Sequence, residues 1–248
     1  MRTSRLASLV ALGAIALPLV ACTASVVAAS PRTTSPIGKQ LAELKGSDTV
    51  AGDGLGSSVA ISGSTAIVGA YDHAKDAGRA YVFTMTGSSW HQVAELQGSD
   101  TVAGDEFGSS VAVSGTTAIV GAGDHAEHAG RAYVFTKTPG GWKLVAELKG
   151  SDTIAGDYFG WSVAISGATA VVGANNYGTV RGVYFGAFGR AYVFTKTSAG
   201  WKQVSKLSAS SPVPFSDLGY SVAVSGTTAI VGAPYANNGL GLAYVFEA

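Results

Sequence analysis

The sequence holds one cysteine in 248 residues, so neither an internal disulfide nor a cysteine-based zinc site is open to it. Proline is scarce, at 7 residues, and charged residues make up only 13%. That is too little charge for a chain kept disordered by self-repulsion. The 16 basic and 16 acidic side chains cancel, so no whole-molecule field draws the protein to nucleic acid. A Gly-x-Ser-x-Gly elbow, a His-Glu-x-x-His pair and a phosphate-binding P-loop are all missing. No stretch after the N-terminal segment has helical periodicity with caps. What is present is glycine, at 34 residues, and 47% apolar residues rich in Val and Ala. With abundant Thr, that composition reads as β-structure punctuated by turns.

The N-terminus reads as an address. Arg2 and Arg5 precede an apolar run from Leu6 to Ala21, a positive segment and a hydrophobic segment of signal-peptide proportions. The run ends in Leu19-Val20-Ala21-Cys22, which resembles a bacterial lipobox. In that reading residues 1–21 are removed and Cys22 carries the lipid. Cleavage near residue 29, after Val27-Ala28-Ala29, is the alternative. Residues 22–37 are rich in Ala, Ser, Thr and Pro and read as a flexible tether. The expected location is outside the cytoplasm, as an envelope lipoprotein or a secreted protein.

From residue 38 onward one unit is written four times. AELKGSDTVAGDGLGSSVAISGSTAIVGA starts at Ala42, and near-copies start at Ala94 and Ala146. A fourth copy is degenerate from Ser205 to Gly219 and regular afterwards. Tyr81, Tyr133, Tyr192 and Tyr244 mark its AYVF segments at spacings of 52, 59 and 52. Each copy divides into four short strands of the types SVAVS, TAIVGA, RAYVFTKT and WKLVAEL, with a Ser-Gly-Thr-Thr hairpin turn after the first. Four antiparallel strands repeated at about 50 residues predict the blades of a β-propeller. Lys39–Leu44 is a spare fourth strand at the start, and the chain stops after the third strand of its last copy. The expectation is an all-β propeller of four four-stranded blades closed by an N-to-C strand clasp, which would remove an exposed edge. Half of a larger propeller, completed by dimerisation, is the alternative.

Phe107-Gly108 and Phe159-Gly160, each followed about 13 residues later by Val-Gly-Ala, resemble FG-GAP repeats. Leu218-Gly219 with Gly232-Ala233-Pro234 is similar, and Leu55-Gly56 stands in the first copy. The resemblance covers residues 39–248 and implies the propeller of integrin α-subunit heads and of many bacterial surface proteins. Members of that family often carry an Asp-x-Asp-x-Asp-Gly calcium loop between the two halves of the motif. Here the span is of the type Val113–Thr117, which has no carboxylate, whereas a hard cation wants six to eight oxygens. The resemblance is therefore to a calcium-free variety: no cofactor is expected, with calcium bound outside the usual loop as the alternative.

The loops from strand 4 to strand 1 and from strand 2 to strand 3 share one end of such a blade. They hold twelve of the sixteen acidic residues, including Asp72 and Asp124. Aspartate in a Gly-Ser-Asp-Thr loop is by itself a turn former, so residues that break the repeat are the sharper candidates. Trp161 stands where copies one and two have serine, beside Tyr158. An insertion at 175–188 adds Tyr177, Arg181, Tyr184 and Phe185. Aromatics with arginine suit recognition, and local packing over the propeller centre would use the same residues. A zinc site needs three or four converging ligands, which Asp72-His73 and Asp124-His125 with His128 could supply from two adjacent blades, but the reading preferred is solvated loop histidines.

These residues point to an exported, non-catalytic module that binds a surface protein or a glycan through its acidic loop face. It would contact the membrane only through the lipid, as a monomer or homodimer. Two other functions fit the same fold: a structural module of a larger ring, and a glycosidase- or lyase-like enzyme using paired carboxylates.

Overall fold

A computed structural model describes residues 38–175 and 188–247, together with the backbone of two short strands inside the insertion. The chain divides into a unit Met1–Gln40 and a unit Leu41–Ala248, and every strand lies in the second. Cys22 and the leader fall outside the described residues.

The strand boundaries follow the repeat. β1 (Val59–Ser62), β2 (Thr65–Ala70), β3 (Arg79–Thr86) and β4 (Ser89–Leu96) form one antiparallel sheet in that order. β5 (Ser110–Ser114), β6 (Thr117–Ala122), β7 (Arg131–Thr138) and β8 (Gly141–Leu148) form the second. β9 (Phe159–Ser166) and β10 (Thr169–Ala174) join β13 (Arg190–Thr197) and β14 (Gly200–Leu207) in the third. Between them, β11 (Thr179–Val180) and β12 (Val183–Tyr184) pair as a small hairpin in the insertion. The last sheet has three strands: β15 (Ser221–Ser225), β16 (Thr228–Ala233) and β17 (Leu242–Glu247).

Burial grades across each blade as the side-chain pattern requires. The TAIVGA strands β2 and β6 are buried at every position. β6 lies between blades 1 and 3, whereas β2 meets blade 2 on one face and is covered on the other with Leu44, Leu55 and Trp90. The outer strands β4, β8 and β14 alternate exposed and half-buried residues, with a period of two. Three apolar layers join successive blades. In the first, Ile67, Ala80, Val82 and Leu96 of blade 1 pack on Phe107, Val111, Val113, Val120, Tyr133 and Phe135 of blade 2. The other two layers repeat this arrangement between blades 2 and 3 and between blades 3 and 4.

The two halves of the sequence motif meet across these layers. A Cβ on Gly69 would lie 2.0 Å from the Gly108 carbonyl oxygen of the next blade. Gly121 and Gly173 face Gly160 and Gly219 in the same way. Only glycine lets the backbones come that close. Ser58, Ser110 and Ser162 each donate a hydroxyl hydrogen bond of 2.6–2.7 Å to those same carbonyls.

The expected N-to-C clasp is not formed. Among the described residues the fourth sheet stops at β17, and Leu41–Leu44 carries no strand pairing. The faces that a closed ring would cover are open. Val59 and Ile61 of blade 1 are 69% and 66% exposed, and Ile230 and Val245 of blade 4 are 45% and 68% exposed. Because the three junctions repeat the same contacts, the turn from blade to blade is set locally, and three such turns leave the end faces apart. Leu44 instead packs at Tyr81 and Phe83 of blade 1, as Leu96 does at Tyr133 and Phe135 of blade 2.

Candidate functional site

Many of the loop aspartates serve the fold. The Tyr133 hydroxyl donates to Asp100 at 2.6 Å, and Asp105 sits 2.8 Å from His125 Nδ1 while accepting the Val102 N–H at 2.7 Å. His125 is buried, against the expectation of a solvated loop histidine. It lies edge-on to Tyr133, with Asp100 3.5 Å from its other ring nitrogen. Blade 1 repeats the clamp with Asp48, Asp53, His73 and Tyr81. In blade 3, Asp152 takes Tyr192, Arg190 and Lys206. Among the described residues, no group of three or more His, Cys, Asp or Glu is arranged to hold a metal ion.

What remains on this face is a floor built from three positions of the repeat. The residue after Gly-Ala is Tyr71, Gly123 or Asn175, and the residue after Phe-Gly is Ser57, Ser109, Trp161 or Tyr220. The residue before that Phe or Leu is Gly54, Glu106, Tyr158 or Asp217, and all four are left-handed, with φ between 51° and 66°. A cavity of about 240 Å³ is lined by Tyr71, Glu106, Asp124 and Trp161 with Ser57 and Ser109. A second, of about 270 Å³, is lined by Trp161, Asn175, Asp217, Tyr220 and Tyr235. Trp161, 39% exposed, stands between the two. The Asn175 side chain is buried, lines the second cavity, and its Oδ1 has no hydrogen-bond partner among the described residues.

An aromatic row crosses this floor. His128 stacks on Tyr158 at 4.9 Å, Tyr158 meets Trp161 edge-on at 6.0 Å, and Trp161 leans on Tyr220 at 5.8 Å. Asp124 fixes the row at one end through a 2.5 Å contact with His128 Nδ1. Beside it, burial and the neighbouring Asp124 carboxylate push the Glu106 carboxyl up to about 7, with Asp72 and Asp76 adding to the effect. Burial alone pushes Asp217 up to about 6. By contrast, the His73 and Val50 hydrogen bonds hold the clamped Asp53 below the usual carboxylate range. Two kinds of carboxyl thus share the face: those already paired, and those aimed at the cavities and held partly neutral.

Of the residues singled out in the sequence, Tyr158, Trp161 and Asp124 come together here. Asp72 lies within electrostatic reach of Glu106. Tyr177, Arg181 and Phe185, and the side chain of Tyr184, fall outside the described residues. Tyr71, Glu106, Asn175, Asp217, Tyr220 and Tyr235 belong to the floor and were missed. Most of them share one signal: they are the positions at which near-identical repeats disagree.

Four-stranded antiparallel sheets stacked face to face, with a Phe-Gly carbonyl seated on the next Gly-Ala, define a repeat protein of β-propeller blades. The FG-GAP repeat family model matches residues 39–83, 90–135, 142–194 and 201–246. The chain belongs to the FG-GAP repeat family. No curated protein matches the chain at a significant level. Among solved structures it is similar to Sqt1 from Chaetomium thermophilum, at 15% identity and TM-score 0.50, over 79% of this chain and 44% of that one. Sqt1 from Saccharomyces cerevisiae is similar at 13% identity and TM-score 0.43, over 73% of this chain and 42% of that one. The chain spans less than half the length of either, and at these identities the likeness concerns the fold alone.

Proposed function

We propose that the protein is an exported, non-catalytic binding module that recognises a partner protein or a glycan at the cell surface. The contact surface is the floor of the loop face, with Trp161 at its centre and Tyr158, Tyr220, Glu106 and Asp124 around it. One observation carries this reading. The repeats are nearly identical in their strands and diverge at the positions that line the cavities. Aromatic side chains with acids beside them suit a ligand with flat apolar surface and hydroxyl or cationic groups. No metal or cofactor is part of the proposal. Export through the leader and lipid attachment at Cys22 complete it. Cys22→Ser should abolish incorporation of a labelled fatty acid.

The binding test is a glycan array and a display library of surface proteins, probed with the wild-type chain and with Trp161→Ala. A ligand should emerge whose affinity falls at least tenfold in the variant, the range of an aromatic hot spot. Any ligand that binds both equally places recognition elsewhere and ends the reading.

A further inference from the structure

We infer that the chain is half of an eight-bladed ring, closed by a second copy whose blade 1 seats on blade 4 of the first, with the same contact made in return. The inference is independent of what the loop face binds. It rests on a junction that the chain builds three times and leaves unmade a fourth time, with both halves present.

The apolar parts match position by position. Blade 4 presents Ala223, Ile230, Ala243 and Val245, all exposed. They occupy the places of Ala60, Ile67, Ala80 and Val82 of blade 1, which pack against blade 2. Blade 1 presents Val59 and Ile61 in the places of Val111 and Val113, which are covered in the first layer.

The polar parts match as well. At the first junction the carbonyls of Lys75, Asp76 and Ala77 accept from the N–H groups of Gly104, Glu106 and Phe107 at 2.7–3.2 Å. At the second, Glu127, His128 and Ala129 accept from Gly156, Tyr158 and Phe159 over the same distances. The equivalent acceptors on blade 4 are Asn238, Gly239 and Leu240, and the equivalent donors on blade 1 are Gly52, Gly54 and Leu55. Among the described residues none of these six groups has a backbone partner. The serines repeat the pattern. Ser62, Ser114 and Ser166 each accept a backbone N–H of the next blade, from Gly115, Gly167 and Gly226, at 3.0–3.2 Å. Ser225, in the fourth such place, awaits Gly63.

The strand edge points the same way. Among the described residues β17 has no outer neighbour, and Lys39–Leu44 has the residue pattern of the outer strand segment Lys143–Leu148. A free edge of this kind is a template for a strand from another chain. The chain's own ends do not cover each other, since Val59 and Ile61 of blade 1 and Ile230 and Val245 of blade 4 all stay exposed in one molecule. A head-to-tail contact that closes on itself gives a two-fold ring, whereas one that does not close gives a filament.

Light scattering of the full chain tests this. The expected mass is twice the 24.9 kDa of the chain over a broad concentration range. A monomer throughout, or a mass that keeps rising with concentration, overturns the ring. Val245→Glu and Ile61→Glu, both at exposed positions, should each give a folded monomer by circular dichroism. A persistent dimer in either variant excludes this junction. Should a variant fail to fold, the wild-type protein decides through amide exchange. Gly54 and Leu55 should exchange at least tenfold more slowly in the dimer than after dilution to monomer. Equal rates at both concentrations would refute the contact.

Discussion

Ile119 and Ile230 occupy the same place in two copies of the same strand, TAIVGA. The first is fully buried against blade 3, and the second lies open at the end of the array. Their strands have the same sequence and the same antiparallel neighbours. What differs is whether another blade is packed on the strand. Burial at this position is therefore a property of the junction between blades, and blade 4 without a following blade leaves Ile230 and Val245 uncovered. That is the general economy of repeat proteins, in which stability sums local units and nearest-neighbour interfaces.

The comparison can be broken most severely with alanine. Ile119→Ala should cost about 2–5 kcal/mol, through lost burial and the cavity left behind. Ile230→Ala should stay within about 0.5 kcal/mol at a dilution where the chain is monomeric. Urea unfolding of the two variants measures this, and equal losses would mean that blade 4 is covered within its own chain.

A smaller effect separates the clamped blades from the unclamped one. His125→Ala strips the buried Asp105 of its imidazole partner and should cost about 1–3 kcal/mol. Blade 4 has Ala236 at that place and no such clamp to lose. Thermal melts of His125→Ala and His73→Ala should show similar losses, and an unaffected melting temperature would make the clamp ornamental.

The smallest effect depends on pH. The folded state holds Glu106 at about 7, above its ordinary value of 4.5, so the fold favours the neutral acid. Stability from this group is complete below about 4.5 and declines as pH rises through 7, when the carboxylate forms beside Asp124. Glu106→Gln should therefore raise the melting temperature at pH 8 by about 2 °C and leave it unchanged at pH 4. An equal shift at both values would assign the effect to packing.

The strands were legible because four copies in register reinforce an alternation that one copy shows weakly. β5 to β8 fall where SVAVS, TAIVGA, RAYVFTKT and the WKLVAEL type place them. The end closure was not legible. It depends on the rotation accumulated over three junctions, and no residue pattern records an angle. The histidine clamp was hidden for another reason: His125 and Asp105 lie 20 residues apart in separate loops, and only the packed blade joins them. The site was half visible. Trp161 and Tyr158 announced themselves by breaking the repeat, yet Tyr220, which breaks it too, gained meaning only when the next blade set it beside Trp161.

The glycine of each of the first three Gly-Ala pairs waits for a carbonyl that lies 39 to 46 residues further along the chain. During synthesis each junction can therefore zip shut as its successor emerges, in one direction and without long-range search. The newest repeat is always the adhesive one. Among the described residues no carbonyl from another blade meets Gly232, and Ile230 and Val245 beside it stay exposed. A protein assembled this way keeps at its tip the same stickiness that folded the rest of it.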